Sequence, residues 1–535
     1  MKHSYSNVLN LSKLVLKKSI LSLSIWIFVL TVITLIVAAA FTNLYSGPEE
    51  VLAIAETMKN PAMIAMVGPG YGIDNYTSGA MMAHQMLLFT GLAVAVMAIM
   101  FVSKNTRADE ESGKLELIRS LPVGRFSNLL STGIVGFLSF LTMSLLIAFG
   151  LYFLKIESID LEGSLVYGLS LGVIGLFFMA VASIFAQLSE NTKGLLGYSL
   201  TFLGISYILR GIGDVNSEFL SLISPLGLIL RTQTYVNNYW WPIIIMFALS
   251  TLIFIIAMYL NSIRDLEAGF IPSKAGKRNA SKFLLKPIGF LLKLQRTGLI
   301  GWTVTLFVLG ISYGAVFGDL EMFFTNNEVL QQMLPEAAGI SLAEQFLTIL
   351  MTIISIFATI PVLISMLKIK SEEKKGRLEQ IYAKKVSRNE MLTYHLIISM
   401  SLTFATIFFS ALGLWLASTS VMSDPISFLN ICKSAFIYAP AILFMLGVTV
   451  FLIGAFPRAT TLTWAYLAYS FIVVYLGNLL QFPEWLAKLS PFGNIPKIPV
   501  EELTLTGPII LIIGFVILTS LGFYTYNKRD IKENL

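Results

Sequence analysis

The sequence predicts an all-α polytopic membrane protein with twelve transmembrane helices, built as two fused six-helix repeats. Three observations lead there. Of 535 residues, 56% are hydrophobic and only 13% charged, with a mean hydropathy of +0.77, whereas soluble domains carry about 25% charge. Apolar runs of about 20 residues, the length that crosses roughly 30 Å of hydrocarbon, recur along the chain. Finally, Gly-Lys-Leu-Glu-Leu-Ile, Gly113 to Ile118, returns as Gly-Arg-Leu-Glu-Gln-Ile, Gly376 to Ile381.

In chain order, segment 1–19 sets Leu9, Leu11, Leu14 and Val15 beside Lys13, Lys17 and Lys18, the pattern of a cytoplasmic amphipathic helix lying in the headgroup plane. Spans follow at 20–42, 85–103, 128–153, 164–187, 195–211 and 241–261 and make the first half, 20–261. The first of them runs on to Ala38-Ala39-Ala40, too long for a cleavable signal core, and reads as an anchor. A basic linker, 262–297, holds a second amphipathic stretch, Phe283 to Leu285 and Phe290 to Leu292 among Lys282, Lys286, Lys293 and Arg296. Spans at 298–317, 343–367, 391–417, 429–453, 460–481 and 505–525 make the second half, 298–525, before a tail, 526–535. With both termini in the cytoplasm, 30 of the 37 Lys and Arg fall on that side, as the positive-inside rule requires. The outer loops are mostly acidic (Glu49, Glu50, Asp160, Asp214, Asp319, Glu328, Glu336, Glu501). The net charge of +6 therefore expresses topology and implies no nucleic-acid partner.

The duplication extends beyond one motif. Acids introduce each copy (Asp109, Glu110, Glu111; Glu372, Glu373), and Val123 with Arg125 or Val386 with Arg388 close it. Ser224-Pro225-Leu226-Gly227 and Ser490-Pro491-Phe492-Gly493 repeat at nearly the same offset, each between the fifth and sixth span of its half. In the first copy Leu115, Ile118 and Leu121 fall three apart and predict an apolar stripe on a short helix, with Lys114, Glu116 and Arg119 pointing elsewhere. Leu378 and Ile381 give the same stripe in the second, with Arg377 and Glu379 outside it. A charged surface kept twice in one chain suggests two equivalent partners. Two equal halves with even span counts predict a parallel repeat about an axis along the membrane normal.

Within the spans ionisable groups are scarce, which argues against coupling to protons or ions. Lys433, Arg210 and Glu344 sit near outer span ends and read as interface anchors. No CxxC or HExxH spacing occurs, and His3, His84 and His395 are too scattered to form a ligand set. No acid/base or nucleophile set is gathered, so neither a catalytic nor a metal or cofactor site is expected. No GxxxxGK[ST] phosphate cradle appears either, so this chain is not expected to hydrolyse ATP. On the second span, Met86, Phe89, Met97 and Met100 are candidates for a substrate path suited to hydrophobic molecules. Segment 212–240 is too apolar for a free loop and too short to cross, as a re-entrant or interfacial piece would be.

The run Thr106 to Arg119 with Pro122-Val123-Gly124-Arg125 resembles the coupling-helix loop of type-2 ABC exporter permeases, and more narrowly of the tetronasin-resistance, polyketide-antibiotic exporter group. Gly68-Pro69-Gly70-Tyr71-Gly72, Arg210-Gly211-Ile212-Gly213-Asp214, Trp240-Trp241-Pro242 and Phe482-Pro483-Glu484-Trp485 extend the likeness over nearly the whole chain. The resemblance implies a multi-pass permease of a bacterial cytoplasmic membrane that exports hydrophobic or amphipathic compounds. Two copies of a separate cytoplasmic ATPase subunit, holding ATP and Mg, would contact Glu110, Glu111, Lys114, Leu115, Glu116, Ile118 and Arg119 in one loop. In the other they would contact Glu373, Arg377, Leu378, Glu379 and Ile381. It also implies partly re-entrant outer plugs at Ser224, Pro225, Gly227 and at Ser490, Pro491, Gly493. The second loop departs from the first, with Lys385 and Ser387 in place of Pro122 and Gly124, which predicts unequal engagement of the two ATPase copies. A proton-coupled multidrug carrier and a drug-sensing permease without net transport are the alternatives.

Overall fold

The computed structural model describes residues 5–44, 48–59, 61–265, 268–272, 278–319, 341–374, 376–383, 386–422, 424–475, 482–501 and 503–529. The helices of the first half are α1 Val8–Leu44, α2 Pro48–Met58, α3 Pro61–Val67, α4 Ser78–Asn105, α5 Arg107–Glu111, α6 Lys114–Arg119, α7 Ser127–Phe153, α8 Leu161–Leu188, α9 Thr192–Asn216, α10 Glu218–Ile223, α11 Pro225–Leu230 and α12 Trp241–Ile263. Those that follow are α13 Pro287–Ala315, α14 Leu342–Lys374, α15 Arg377–Tyr382, α16 Arg388–Val421, α17 Phe428–Phe436, α18 Ala439–Ala455, α19 Leu462–Tyr475, α20 Glu484–Leu489 and α21 Thr506–Lys528. Among the described residues eleven helical stretches are long and apolar enough to cross a membrane. The chain is an all-α polytopic membrane protein. Part of the expected span 460–481 lies outside the described residues, which show its α19 portion.

Helix starts follow local chemistry. Thr77, Asp160 and Asn191 cap α4, α8 and α9 by accepting from the backbone three residues on. Ser387 and Glu390 form a reciprocal capping box at the start of α16. The basic segments expected to lie in the headgroup plane instead continue into spans: α1 runs unbroken from Val8, and α13 from Pro287. The reason is visible in their buried positions. Leu11 and Val15 of α1, and Gly289, Leu291 and Gln295 of α13, pack against protein rather than offering one clean lipid-facing stripe.

The chain divides into two compact units, Met1–Gly276 and Lys277–Leu535. In the first, α4, α7 and α8 enclose Met97, Phe140, Tyr167 and Phe178. In the second, α14, α16 and α18 enclose Met366, Leu402, Tyr438 and Leu446. With lipid as apolar as any side chain, close packing of small residues must supply helix affinity. Gly310 of α13 and Gly413 of α16 do this, for a methyl on Gly413 would meet the Phe307 carbonyl oxygen at 2.2 Å. Gly413→Val is expected to cost about 1–3 kcal/mol through this overpacking, read as a lowered unfolding midpoint of the purified chain; an unchanged midpoint would refute the contact.

Candidate functional site

Each repeated loop is a six-residue helix reached through a left-handed glycine. Gly113 has φ 72° and Gly376 φ 66°, a region that other residues occupy only with strain. The glycine closes the preceding helix, its N–H donating to the carbonyl of Glu110 (3.0 Å) or Glu373 (2.9 Å). The next helix, α6 or α15, can then set off in a new direction. Its second residue, Leu115 or Leu378, is buried, and Ile118 and Ile381 are half-buried. Leu121 breaks the expected stripe, being 60% exposed, and Leu117 stands out at 72%. Six residues make less than two turns, too few to bury three positions three apart once the first is anchored.

Beneath each short helix lies a buried ionic clamp with the same parts in both units. Glu110 receives two hydrogen bonds of 3.0 Å from the guanidinium of Arg264, the residue that caps the C-terminus of α12. Glu373 is bound at 2.6 Å by Arg529, the C-cap of α21. The capping arginine's own carbonyl then accepts from a repeat arginine, Arg125 Nη2 at 2.6 Å or Arg388 Nη1 at 2.8 Å. A base three residues before the acid completes each set. Arg107 donates to the Ala186 carbonyl at the end of α8 and pairs with Glu110 at 3.2 Å, and Lys370 donates to the Pro457 carbonyl just beyond α18. The C-terminal carbonyls of helices favour cations, so Arg107 sits at the negative end of the α8 dipole.

The clamp divides the sequence-derived contact residues. Glu110, Leu115, Glu373 and Leu378 are turned inward and held by the chain itself. Arg119 is half-buried; burial lowers its guanidinium from the ordinary value, nearby Glu110 opposing, and it stays charged. Glu111 is exposed yet accepts from Thr192 N–H and hydroxyl at 2.6 and 2.8 Å, capping the start of α9. Lys114, Glu116, Arg377 and Glu379 are exposed. In the second loop Tyr382 adds a hydroxyl contact of 3.0 Å to Tyr526 of α21, and burial raises its phenol above the ordinary value. Sequence reading missed Arg264 and Arg529, which lie 154 and 156 residues from their acids; the one signal was an Arg-Asp pair at the end of each half, Arg264-Asp265 and Arg529-Asp530.

The outer segments also match. Ser224 ends α10 and caps α11, accepting from Leu226 N–H; Ser490 ends α20 and caps the turn Pro491–Asn494, accepting from Phe492 N–H. Pro225 and Pro491 hold first-turn positions, where no N–H is required. Gly227 and Gly493 lie so close to the preceding helix that a methyl would meet the carbonyl oxygen of Ser221 at 2.1 Å or of Ala487 at 2.0 Å. Ser224 Oγ donates to the Ser206 carbonyl, folding the first segment back on α9. Arg210 corrects its assignment as an interface anchor. It is fully buried, bonded to Asp214 (3.0 Å) and to the carbonyls of Ala65 (2.7 Å) and Met66 (3.1 Å), while Asp214 accepts from Ser221 Oγ. A guanidinium with an acid one turn on finds its partners within the protein and has no need of the interface. The four substrate-path candidates lie on one side of α4 and differ in exposure: Met97 is in the core, Met86 half-buried, and Phe89 and Met100 exposed.

Compared with known proteins, the chain is 31% identical over 533 residues to the multidrug efflux system permease protein Rv1217c of Mycobacterium tuberculosis (strain ATCC 25618 / H37Rv), covering 99% of this chain and 96% of that protein. It belongs to that permease family. A family profile described as the multidrug efflux system permease Rv1217c, C-terminal domain, matches residues 284–527 and so takes in the second loop with Glu373 and Arg388, and the Ser490 turn, and ends two residues before Arg529.

Breaking a buried ion pair from one side costs about 3–5 kcal/mol, because the other charge is left unpaired. Arg529→Ala and Glu373→Ala are each expected to lower stability by that order, and the double variant by much less than their sum. Strict additivity in the unfolding midpoints of the four proteins would show that the two side chains do not interact.

Proposed function

We propose that the chain is the membrane-spanning permease subunit of an ATP-driven multidrug exporter, moving hydrophobic or amphipathic compounds out of the cell. Its twelve spans form two six-span halves in the cytoplasmic membrane, with both termini in the cytoplasm. Two copies of a separate cytoplasmic ABC ATPase, which hold the ATP and Mg, dock on α6 and α15. The relative's name supports drug efflux, and the resemblance of Thr106 to Arg125 to coupling-helix loops supports the ATPase partner.

The observation that carries the reading is a short helix with an exposed polar outer face, held from below by a buried clamp, built twice. An element that only linked two spans would need no such support. An element that receives force needs it, because a compliant foothold dissipates displacement before it reaches the spans. Each clamp joins the short helix to the ends of three spans, α7, α8 and α12 in one unit and α16, α18 and α21 in the other. Closure of an ATPase dimer would therefore move each set of spans as a body.

Glu116→Lys with Glu379→Lys reverses two exposed charges and leaves the clamps intact. It is expected to remove the ATPase that co-purifies with the tagged chain and to abolish ATP-dependent export in vesicles, with the unfolding midpoint unchanged. Export that persists with ATP depleted and collapses with the proton gradient would instead establish a proton-coupled carrier. Drug-stimulated ATP turnover without net transport would establish a sensor.

A further inference from the structure

A cleft of about 630 Å³ runs along one side of the α13 and α16 pair, walled by residues 288–307 and 397–412. Its volume falls in the roughly 300–1,000 Å³ range of small-molecule sites. The walls are aliphatic and aromatic, with Ile300, Val304, Phe307, Ile397 and Phe409 prominent and only Thr303 and Ser401 offering hydroxyls. Thr303 spends its hydroxyl on the Leu299 carbonyl of its own helix. Ile300 and Val304 are 63% and 53% exposed, so the cleft is open along its side. Such a surface suits a flexible apolar chain and offers little to a polar ligand.

The helical register sets a charge beside the groove. Leu292, Ile300 and Val304 line the cleft, and Arg296 falls on the same row of positions four apart. Arg296 and its neighbour Lys293 are both exposed, and neither has an ion pair or hydrogen bond among the described residues. No Asp or Glu occurs in the sequence from Gly269 to Gly318 that could neutralise them locally. Two unneutralised cations at the basic end of a spanning helix stand where lipid headgroups lie, and basic pockets between spanning helices attract anionic headgroups.

We propose that this cleft is a binding site for an anionic phospholipid, with one acyl chain along the α13 and α16 groove and the headgroup phosphate on Arg296 and Lys293. The inference rests on the membrane-spanning fold alone and not on the ATPase reading. The occupant is a resident of the bilayer: a chain lying in a laterally open groove exchanges with the surrounding lipid without leaving the hydrocarbon.

The test uses the full chain in bilayers of equal phosphatidylglycerol and phosphatidylethanolamine, with a photoactivatable diazirine in the acyl chain of one lipid or the other. After illumination the labelled peptides are mapped. Labelling of 288–307 or 397–412 is expected to be several-fold stronger from the phosphatidylglycerol probe. Lys293→Ala and Arg296→Ala are each expected to weaken it by about fivefold, while Lys433→Ala with Lys488→Ala leaves it unchanged. Ala405→Phe, which fills the groove, is expected to weaken labelling with both bases present. The wild-type comparison needs no variant to fold: labelling confined to other segments, equal labelling from both lipids, or displacement of the probe by an exported hydrophobic compound would each overturn the proposal.

Discussion

A carboxylate buried at the foot of each unit sets the terms for what surrounds it. Taking Glu110 or Glu373 out of water costs several kcal/mol, and their attraction to Arg264 or Arg529 offsets that cost only while geometry is kept. Such a pair therefore contributes little net stability and much orientation. Once the acid is fixed, the carbonyl of the capping arginine must face the repeat arginine, and the glycine that follows the acid must turn left-handed to free the short helix. The position of the exposed face is thus derived from a chain of obligatory polar contacts rather than from loop propensity.

The two clamps differ in ways that follow from single residues. Arg107 reaches both a helix end and its own acid, whereas Lys370, with one compact ammonium, reaches a helix end and the Thr460 hydroxyl. In the first unit Lys18 of α1 also pairs with Asp109, and Ser6 and Asn7 donate to the Pro122 carbonyl, so the first span is bound to the loop. The acid at the matching position in the second loop, Glu372, pairs with Lys368 and Arg377 of its own segment and, among the described residues, ties down no other span. The helix before the loop breaks at Thr106 in the first unit and runs on to Lys374 in the second. With Glu111 also capping α9, the first loop is accordingly tied to two further elements, α1 and α9.

Much of this was legible in sequence, and the physical reason differs from one feature to the next. Spans such as 128–153 were readable because hydrocarbon thickness imposes length and apolarity together. The Ser-Pro-x-Gly turns were readable because each residue does a local job that few others can: cap, first-turn start, close approach. The inward aim of Glu110 was not readable. An acid beside a basic helix looks the same in sequence whether it faces solvent or a guanidinium 154 residues away. Arg210 carried a usable signal, Asp214 one turn later, and reading it as a lone charge at a span end overlooked that spacing. Residues 86, 89, 97 and 100 fall on one side of α4, yet spacing alone could not tell that Met97 is covered by protein while Phe89 and Met100 are left exposed.

Charge in this chain sorts into two kinds, and the sorting itself has a cause. Where protein surrounds a charge, as at Arg210, Arg107, Glu110 and Glu373, each finds a partner, because the low dielectric makes an unpaired ion too costly. Where partners are missing among the described residues, as at Lys293 and Arg296, the side chains are exposed. Exposure beside an apolar groove in a spanning helix is exposure to the bilayer, whose own headgroups are the nearest source of counter-charge. The clamp and the groove thus answer one electrostatic requirement by different means: the first within the chain, the second through the membrane in which it sits.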